Sequence, residues 1–420
     1  MKAKLIDSAS FLLVDFCLGE RYTHHYDYLI RYQRFLQSNG AHPLSVFVPR
    51  SGRRMESQDM SSQWNYRLWS RRYVNFHSLK LSEKSVYVFV KMVERMAASS
   101  RNPQFKVKAE RLIAKVLGVL SFRSVKKYLI DQLKNSQVII VCPTLDDMAV
   151  EMIRRIDRNF SQSKSNLHYR LRILDDGPGS NSDDSTADIR FLDFLRIKNV
   201  DVKIGFETHS NLSRFLNKPD SYPFDLHLVR PPIFLVPKGL KGPSWNSCSN
   251  LTIGFLGMAK ARKGFSRIPE IISEIANEFP ESTFIVQGSS VNWDGYQEQK
   301  NAITSLSKSV KLLFIEGDLG YEELLRRVQD CSIIVLPYSA ESYKYSGSAI
   351  LFMAAEQQVP VIASPGTGFA SDIVEYGLGG LCNKDWSREV TRVLALNPSN
   401  TWNLYADKIQ KENFNFLFVQ

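Results

Sequence analysis

Three groups of residues in the 420-residue chain have types and spacings that suit chemistry. In the first, Gly257 is followed by Lys260, Arg262, Lys263 and Gly264. Glycine lets the backbone approach a phosphate, and cationic side chains beside a helix N-terminus neutralise a diphosphate. In the second, Tyr345-Ser346-Gly347-Ser348 leads into a helix. Serines of this kind cap helices, and the free N–H groups of the first turn form an anion site. A solvated basic loop and a simple cap are the plainer readings of each taken singly. Two such strand-to-helix junctions in one domain point instead to a nucleotide diphosphate at the carboxyl ends of the strands. The third group is acidic, Asp175-Asp176-Gly177. It reads either as a turn closed by Asx hydrogen bonds, or as a carboxylate that binds an acceptor hydroxyl or takes its proton. His24, His25 and His209 have no partner in view and read as core or solvent-facing side chains.

The elements that must position these residues are clearest after residue 250. Leu251–Leu256 is a strand, and Phe265, Ile268, Ile272 and Ile275 recur after it at helical spacing. Ser282–Val286 and Val310–Ile315 are further strands, with Gly288 and Gly317 at their exits. A helix from Tyr321 sets Leu324, Leu325 and Val328 on one face. The buried strand Ser332–Leu336 stops at Pro337; a helix from Ser348, the strand Val359–Ala363 and a turn through Gly366 and Gly368 follow. Short β-rich runs alternating with helices define a doubly wound parallel sheet.

The first half follows the same logic less regularly. Phe11–Phe16, Leu44–Val48, Val138–Val141, Leu171–Leu174 and Val202–Phe206 read as strands, with helices carrying Tyr26, Leu29 and Leu36, and Met148, Met152 and Ile156. Residues 51–135 read as a helical insertion, and 237–250, rich in Pro and Gly, as a linker. Two domains are therefore expected, 1–240 and 250–400, with a C-terminal segment over 401–420.

Composition excludes several classes. The chain is 44% apolar, which is globular rather than disordered, and its net charge of +11 favours anionic partners. Five scattered cysteines without metal-ligand spacing favour a reducing, cytoplasmic compartment and no structural zinc. No stretch is long and apolar enough to span a bilayer. From Arg101 to Lys134 there are nine basic residues against two acidic ones, with Leu112, Ile113, Val116, Leu117 and Leu120 as an apolar face. Such a helix can lie on an anionic membrane; the alternative is a core-packed helix with a solvated basic back. Arginines interleaved with Trp64, Tyr66 and Trp69 belong to no nucleic-acid motif, and nucleic acid is not an expected partner.

From about Leu251 to Gly380 the sequence resembles the C-terminal domain of GT-B glycosyltransferases, most nearly the retaining family 4 group that uses nucleotide-sugar donors. The resemblance rests on Phe255-Leu256-Gly257 with Arg262-Lys263-Gly264, on Ile285-Val286-Gln287-Gly288, on Tyr321-Glu322-Glu323-Leu324-Leu325 and on Val335-Leu336-Pro337. Its strongest part is the run from Met353-Ala354-Ala355-Glu356 through Val359-Pro360-Val361 to Ser364, followed by Gly366, Gly368 and Gly377. The fold it implies is α/β, GT-B: two Rossmann-like doubly wound domains facing an interdomain cleft. The activity it implies is transfer of a sugar from a nucleotide-sugar substrate to a glycan or lipid-linked acceptor, by a hexosyltransferase-like enzyme with no cofactor or metal, placed in the cytoplasm or peripherally at the membrane's inner face. A nucleotide-sugar epimerase and a catalytically degenerate binding subunit are the alternatives on the same architecture.

By that resemblance Lys263 holds the donor phosphates, Ser346–Ser348 meets the diphosphate and sugar, and the loops at Gly288 and at Glu316-Gly317-Asp318 face the base. Gly19-Glu20 sits where the family has its acceptor loop, Asp175-Asp176 about where it often has a histidine, and the segment from about Trp402 crosses back to the first domain. Two departures stand out. Tyr345 and Met353 occupy the positions of two glutamates eight residues apart, and Met258 that of an arginine.

Overall fold

Continuous apolar runs become the central strands of two parallel sheets. The computed structural model describes residues 9–15, 24–41, 44–49, 65–68, 81–100, 102–145, 147–160, 162, 166–173, 201–217, 224–236, 251–288, 293–396 and 401–419. The chain divides into two compact units. The first comprises Met1–Phe206, Pro219–His227 and Phe414–Gln420; the second comprises Glu207–Lys218 and Leu228–Asn413.

The first unit runs β1 (Ser10–Val14), α1 (His24–Ser38), β2 (Leu44–Pro49), β3 (Asn65–Leu68), α2 (Leu81–Ser99), α3 (Pro103–Leu133), β4 (Val138–Cys142), α4 (Asp147–Asn159), β5 (Leu167–Ile173) and β6 (Asp201–Phe206). After α5 (His209–Leu216), a part of the second unit, comes β7 (Asp225–Leu228). The sheet order is β3-β2-β1-β4-β5-β6-β7, and β1 to β6 pair in parallel. Order reverses between β1 and β4, both buried along their length, as expected of strands covered on two faces. Part of the stretch read as a helical insertion is thus strand β3, which extends the sheet beside β2.

Strand β5 begins four residues earlier than its apolar pattern implied, because its alternate residues His168, Arg170 and Arg172 are buried polar side chains rather than apolar ones. Arg170 Nη2 donates to Asp201 Oδ2 at 2.6 Å, and His168 Nδ1 lies 3.0 Å from the same oxygen. Arg172 donates to the Pro143 carbonyl at 3.0 Å and stacks 4.5 Å from the Tyr28 ring. Burial raises the pKa of Asp201, but the hydrogen bonds from His168 and Arg170 and the Arg170 charge outweigh it and hold the carboxyl down at about 2.

Helix α3 starts at Asn102, whose side chain accepts from Gln104 N at 2.9 Å. Its buried stripe is Ala109, Ile113, Leu117, Val125 and Leu129. At Gly118 a Cβ would come within 2.9 Å of the Met148 carbonyl on α4, so the two helices touch at backbone distance. This corrects the apolar face read from the sequence. Ile113 and Leu117 are core residues, Val116 and Leu120 are half-buried, and Leu112 is exposed. Core packing with a basic outer back is the arrangement present.

The second unit continues with β8 (Thr252–Phe255), α6 (Ile268–Glu278), β9 (Thr283–Gln287), α7 (Tyr296–Ser305), β10 (Lys311–Ile315), α8 (Tyr321–Gln329), β11 (Ile333–Leu336), α9 (Ala349–Glu356), β12 (Val361–Ala363), α10 (Ala370–Glu375), β13 (Gly379–Leu381), α11 (Trp386–Leu394) and α12 (Thr401–Phe418). Its sheet is parallel throughout in the order β10-β9-β8-β11-β12-β13, with the reversal between β8 and β11. Ile268, Ile271, Ile272 and Ile275 bury one side of α6 in a core with Ile253, Val286, Val335 and Ile362. Arg230 is fully buried and bonds Asp372 twice at 2.6 Å and Glu412 at 2.9 Å, tying α10 to α12.

Helix α12 serves both units. Its first thirteen residues group with the second, while Phe414–Gln420 group with the first. There Phe418 packs 5.2 Å from the Phe11 ring on β1, and Lys203 Nζ donates to the Val419 carbonyl at 2.8 Å.

Candidate functional site

Ligands in open α/β sheets bind outside the carboxyl ends of the strands where strand order reverses. In the second unit that point lies between β8 and β11, and the Gly257 and Tyr338–Ser348 loops leave the sheet there.

The basic turn is shaped by two glycines. Gly257 has φ +105°, a conformation open to glycine, and its Cβ position is 3.4 Å from Lys263 Nζ and 3.5 Å from Ile350 in the first turn of α9. Gly264, at φ +71°, ends the 3₁₀ turn Ala261–Lys263, and a Cβ there would overlap the Pro337 carbonyl. The Ser339 amide donates to the Arg262 carbonyl at 2.9 Å, which binds this turn to the loop after β11. Lys263 is half-buried with its ammonium 5.3 Å from the Tyr338 ring centroid, Arg262 is exposed 5.5 Å from the Tyr343 ring, and Lys260 opens the turn. The two anion-suited junctions are therefore adjacent.

The second junction is more enclosed than its sequence suggested. Ser346 and Ser348 are both buried. Ser348 holds the N-cap position of α9 in extended conformation but makes no side-chain cap bond, contrary to the expected capping. Its hydroxyl is buried without a well-formed hydrogen bond, next to the Tyr338 phenol, which burial pushes up to about 12. At Gly347 a Cβ would overlap the carboxylate of Glu207, itself only 4% exposed. The loop is fastened by residues just after β6. Thr208 Oγ1 donates to the Tyr345 carbonyl at 2.9 Å, Ser210 Oγ donates to the Lys344 carbonyl at 2.7 Å, and Arg214 stacks 4.6 Å from the Tyr345 ring. Gly368 supports the other side, its amide donating to the Tyr343 carbonyl at 2.7 Å.

Gln287, the last residue of β9, joins the remaining loops. Its Oε1 accepts from the Gly257 amide at 2.8 Å, and its Nε2 donates to the Gly317 carbonyl at 3.3 Å. Gly288 is buried, with its Cβ position 2.7 Å from the Phe314 ring and 3.0 Å from the Tyr296 hydroxyl, so close packing accounts for the glycine. Gly317, at φ +91°, has open space around it. Met353 is buried inside α9, and Met258 is 38% exposed.

The structure thus brings together Gly257, Lys260, Arg262, Lys263 and the Tyr345–Ser348 loop, and connects Gly288 and Gly317 to them through Gln287. Gly19, Glu20, Asp175 and Asp176 lie outside the described residues. Glu207, Thr208, Ser210 and Arg214 carry no motif of their own; only the Thr208 N-cap, accepting from Asn211 N at 3.2 Å, was readable as local structure. Among the described residues no group of three or more His, Cys, Asp or Glu side chains could hold a metal ion. No described helix is long and apolar enough to cross a membrane.

With its two doubly wound parallel-sheet units the chain matches GT-B glycosyltransferase structures and has that fold. Among solved structures, trehalose-6-phosphate synthase OtsA is similar over 97% of this chain and 96% of its own, with a TM-score of 0.59 at 11% identity. An E. coli trehalose-6-phosphate protein bound with UDP-2-fluoro glucose matches over 97% and 96% with a TM-score of 0.58 at 12% identity. Sucrose-phosphate synthase from Thermosynechococcus elongatus matches over 97% and 95% with a TM-score of 0.54 at 14% identity. No family model and no curated protein matches the sequence.

Proposed function

We propose that the protein is a glycosyltransferase that binds a nucleotide-sugar donor in its second unit and transfers the sugar to a hydroxyl of a glycan or lipid-linked acceptor. The observation that carries this reading is the closeness of the two anion-suited turns at Gly257, whose Cβ position lies 3.4 Å from Lys263 Nζ and 3.5 Å from Ile350 in the first turn of α9. A diphosphate leaving group gains charge as the glycosidic bond breaks. Lys263 with Lys260 and Arg262 on one side, and the amides opening α9 on the other, are fixed in advance to meet that charge. Gly288 and Gly317 edge the base subsite in this reading, Gly19 and Glu20 lie on the acceptor side, and Asp175 or Asp176 receives the acceptor proton.

A second reading is favoured by one observation: Met353, buried in α9, cannot replace the ribose hydrogen bond that a glutamate gives at its family position. The chain is then a GT-B homologue that binds donor without turnover.

Thermal stabilisation of the purified protein across UDP-, GDP- and ADP-sugars, followed by chromatography for released nucleotide with and without glycan acceptors, separates the two. A shift removed by Lys263→Ala, together with acceptor-dependent nucleotide release, supports transfer. A shift without release supports the binding subunit. Absence of a shift with every donor overturns both.

A further inference from the structure

We propose that the outer face of α2, continued by the start of α3, docks the protein onto the surface of an anionic lipid bilayer. The inner face of α2, with Tyr87, Val90 and Val93, is buried. Its outer face mixes apolar side chains with Lys91 and Arg95, where a solvated helix would turn polar throughout. Val88, Phe89, Met92 and Met96 are exposed at positions i, i+1, i+4 and i+8, Val88 by 56% and each methionine by 51%. On α3 the exposed Phe105 and Leu112 are two turns apart on one side. An exposed stripe of this kind marks an interaction surface.

Charge selects the occupant. Every exposed charged residue described between 85 and 115 is a cation: Lys91, Arg95, Lys106, Lys108, Arg111 and Lys115. The carboxylates in that stretch, Glu94 and Glu110, are half-buried, and Glu94 accepts from Lys91 Nζ at 2.7 Å. A two-fold contact with a second copy sets this face against itself and so cation against cation. A neutral bilayer takes the apolar side chains and gives the cations nothing. A bilayer bearing anionic headgroups takes both, the apolar side chains entering the acyl boundary while lysines and arginines stay among the headgroups. The proposal is independent of the donor site and stands or falls apart from it.

The test is co-sedimentation of the full chain with vesicles of phosphatidylcholine alone and of phosphatidylcholine mixed with phosphatidylserine, at two salt concentrations. Binding to the mixed vesicles that weakens with salt is expected, with little binding to the neutral ones. Lys106→Ala with Lys108→Ala weakens it roughly fivefold per cation removed. Met92→Asp with Met96→Asp weakens it about tenfold or more. All four side chains are exposed, so circular dichroism and the thermal midpoint stay unchanged; should the aspartate pair lower the midpoint, the lysine pair carries the test. Equal binding to both vesicle types, unaltered binding by the lysine pair, or a lipid-free dimer that Met92→Asp with Met96→Asp dissolves would overturn the proposal.

Discussion

Gln287 accepts the Gly257 amide at 2.8 Å with one end of its side-chain amide and reaches the Gly317 carbonyl at 3.3 Å with the other. One buried side chain at the end of β9 therefore sets the separation of the loops that follow β8 and β10. Gln287→Ala leaves the Gly257 amide without its acceptor, a loss of about 1–3 kcal/mol for a buried donor. Urea unfolding reads that loss, and titration with a stabilising nucleotide sugar reads the looser loops as weaker affinity.

The Glu207 carboxylate fills the space that a side chain at Gly347 would need. Gly347→Ala is expected to destabilise the protein by about 1–3 kcal/mol through overpacking. The penalty shrinks in a Glu207→Ala background, where the obstruction is gone. A double-mutant cycle on unfolding free energies measures the coupling, and additive effects would show that the two residues do not share this space.

At Gly264 two causes act together, a left-handed backbone and the Pro337 carbonyl against the Cβ position. Gly264→Ala is accordingly more harmful than a surface change, at about 2 kcal/mol or more. It also shifts Lys263, so under the proposed function any stabilisation by a nucleotide sugar falls along with the thermal midpoint. Gly317→Ala is strained by its φ alone, with nothing in the way, and is expected to be milder.

Asp201 gives a pH dependence of known sign. Its carboxyl is held at about 2 in the folded unit against an ordinary value near 4, so the unfolded chain binds the proton more readily. The stability it contributes is present above about pH 5 and is lost as pH falls from there towards 2. At neutral pH that contribution is about 2 kcal/mol. Asp201→Asn removes it and flattens the acid limb of a stability profile measured by urea unfolding across pH. An unchanged acid limb would separate Asp201 from the acid sensitivity of the fold.

Strands such as β1 and β11 were legible because burial on both faces leaves an unbroken apolar run, with Pro337 marking where β11 stops. The glycine and lysine turn after β8 was legible for a related reason, since backbone conformation and charge are local properties. Strand β5 was read short because His168, Arg170 and Arg172 find hydrogen-bond partners on neighbouring strands and loops that sequence spacing does not place beside them. Glu207 and Gln287 escaped assignment in the same way. Each acts on a loop far along the chain, Glu207 at Gly347 and Gln287 at Gly257 and Gly317, and only the fold brings these together. On α3 an apolar run with no single dominant face let Leu112 be grouped with Ile113 and Leu117, when contact with α4 at Gly118 selects the side carrying Ile113 and Leu117.

The end of α12 bears on biosynthesis. The first sheet's outer packing, at Phe11, and the Lys203 ammonium both await Phe418 and Val419, more than two hundred residues downstream of β6. During translation the leading half emerges with that apolar patch uncovered and stays so until Phe418 and Val419 have left the ribosome. Contacts this distant in sequence slow folding and leave the nascent first unit open to aggregation in the meantime.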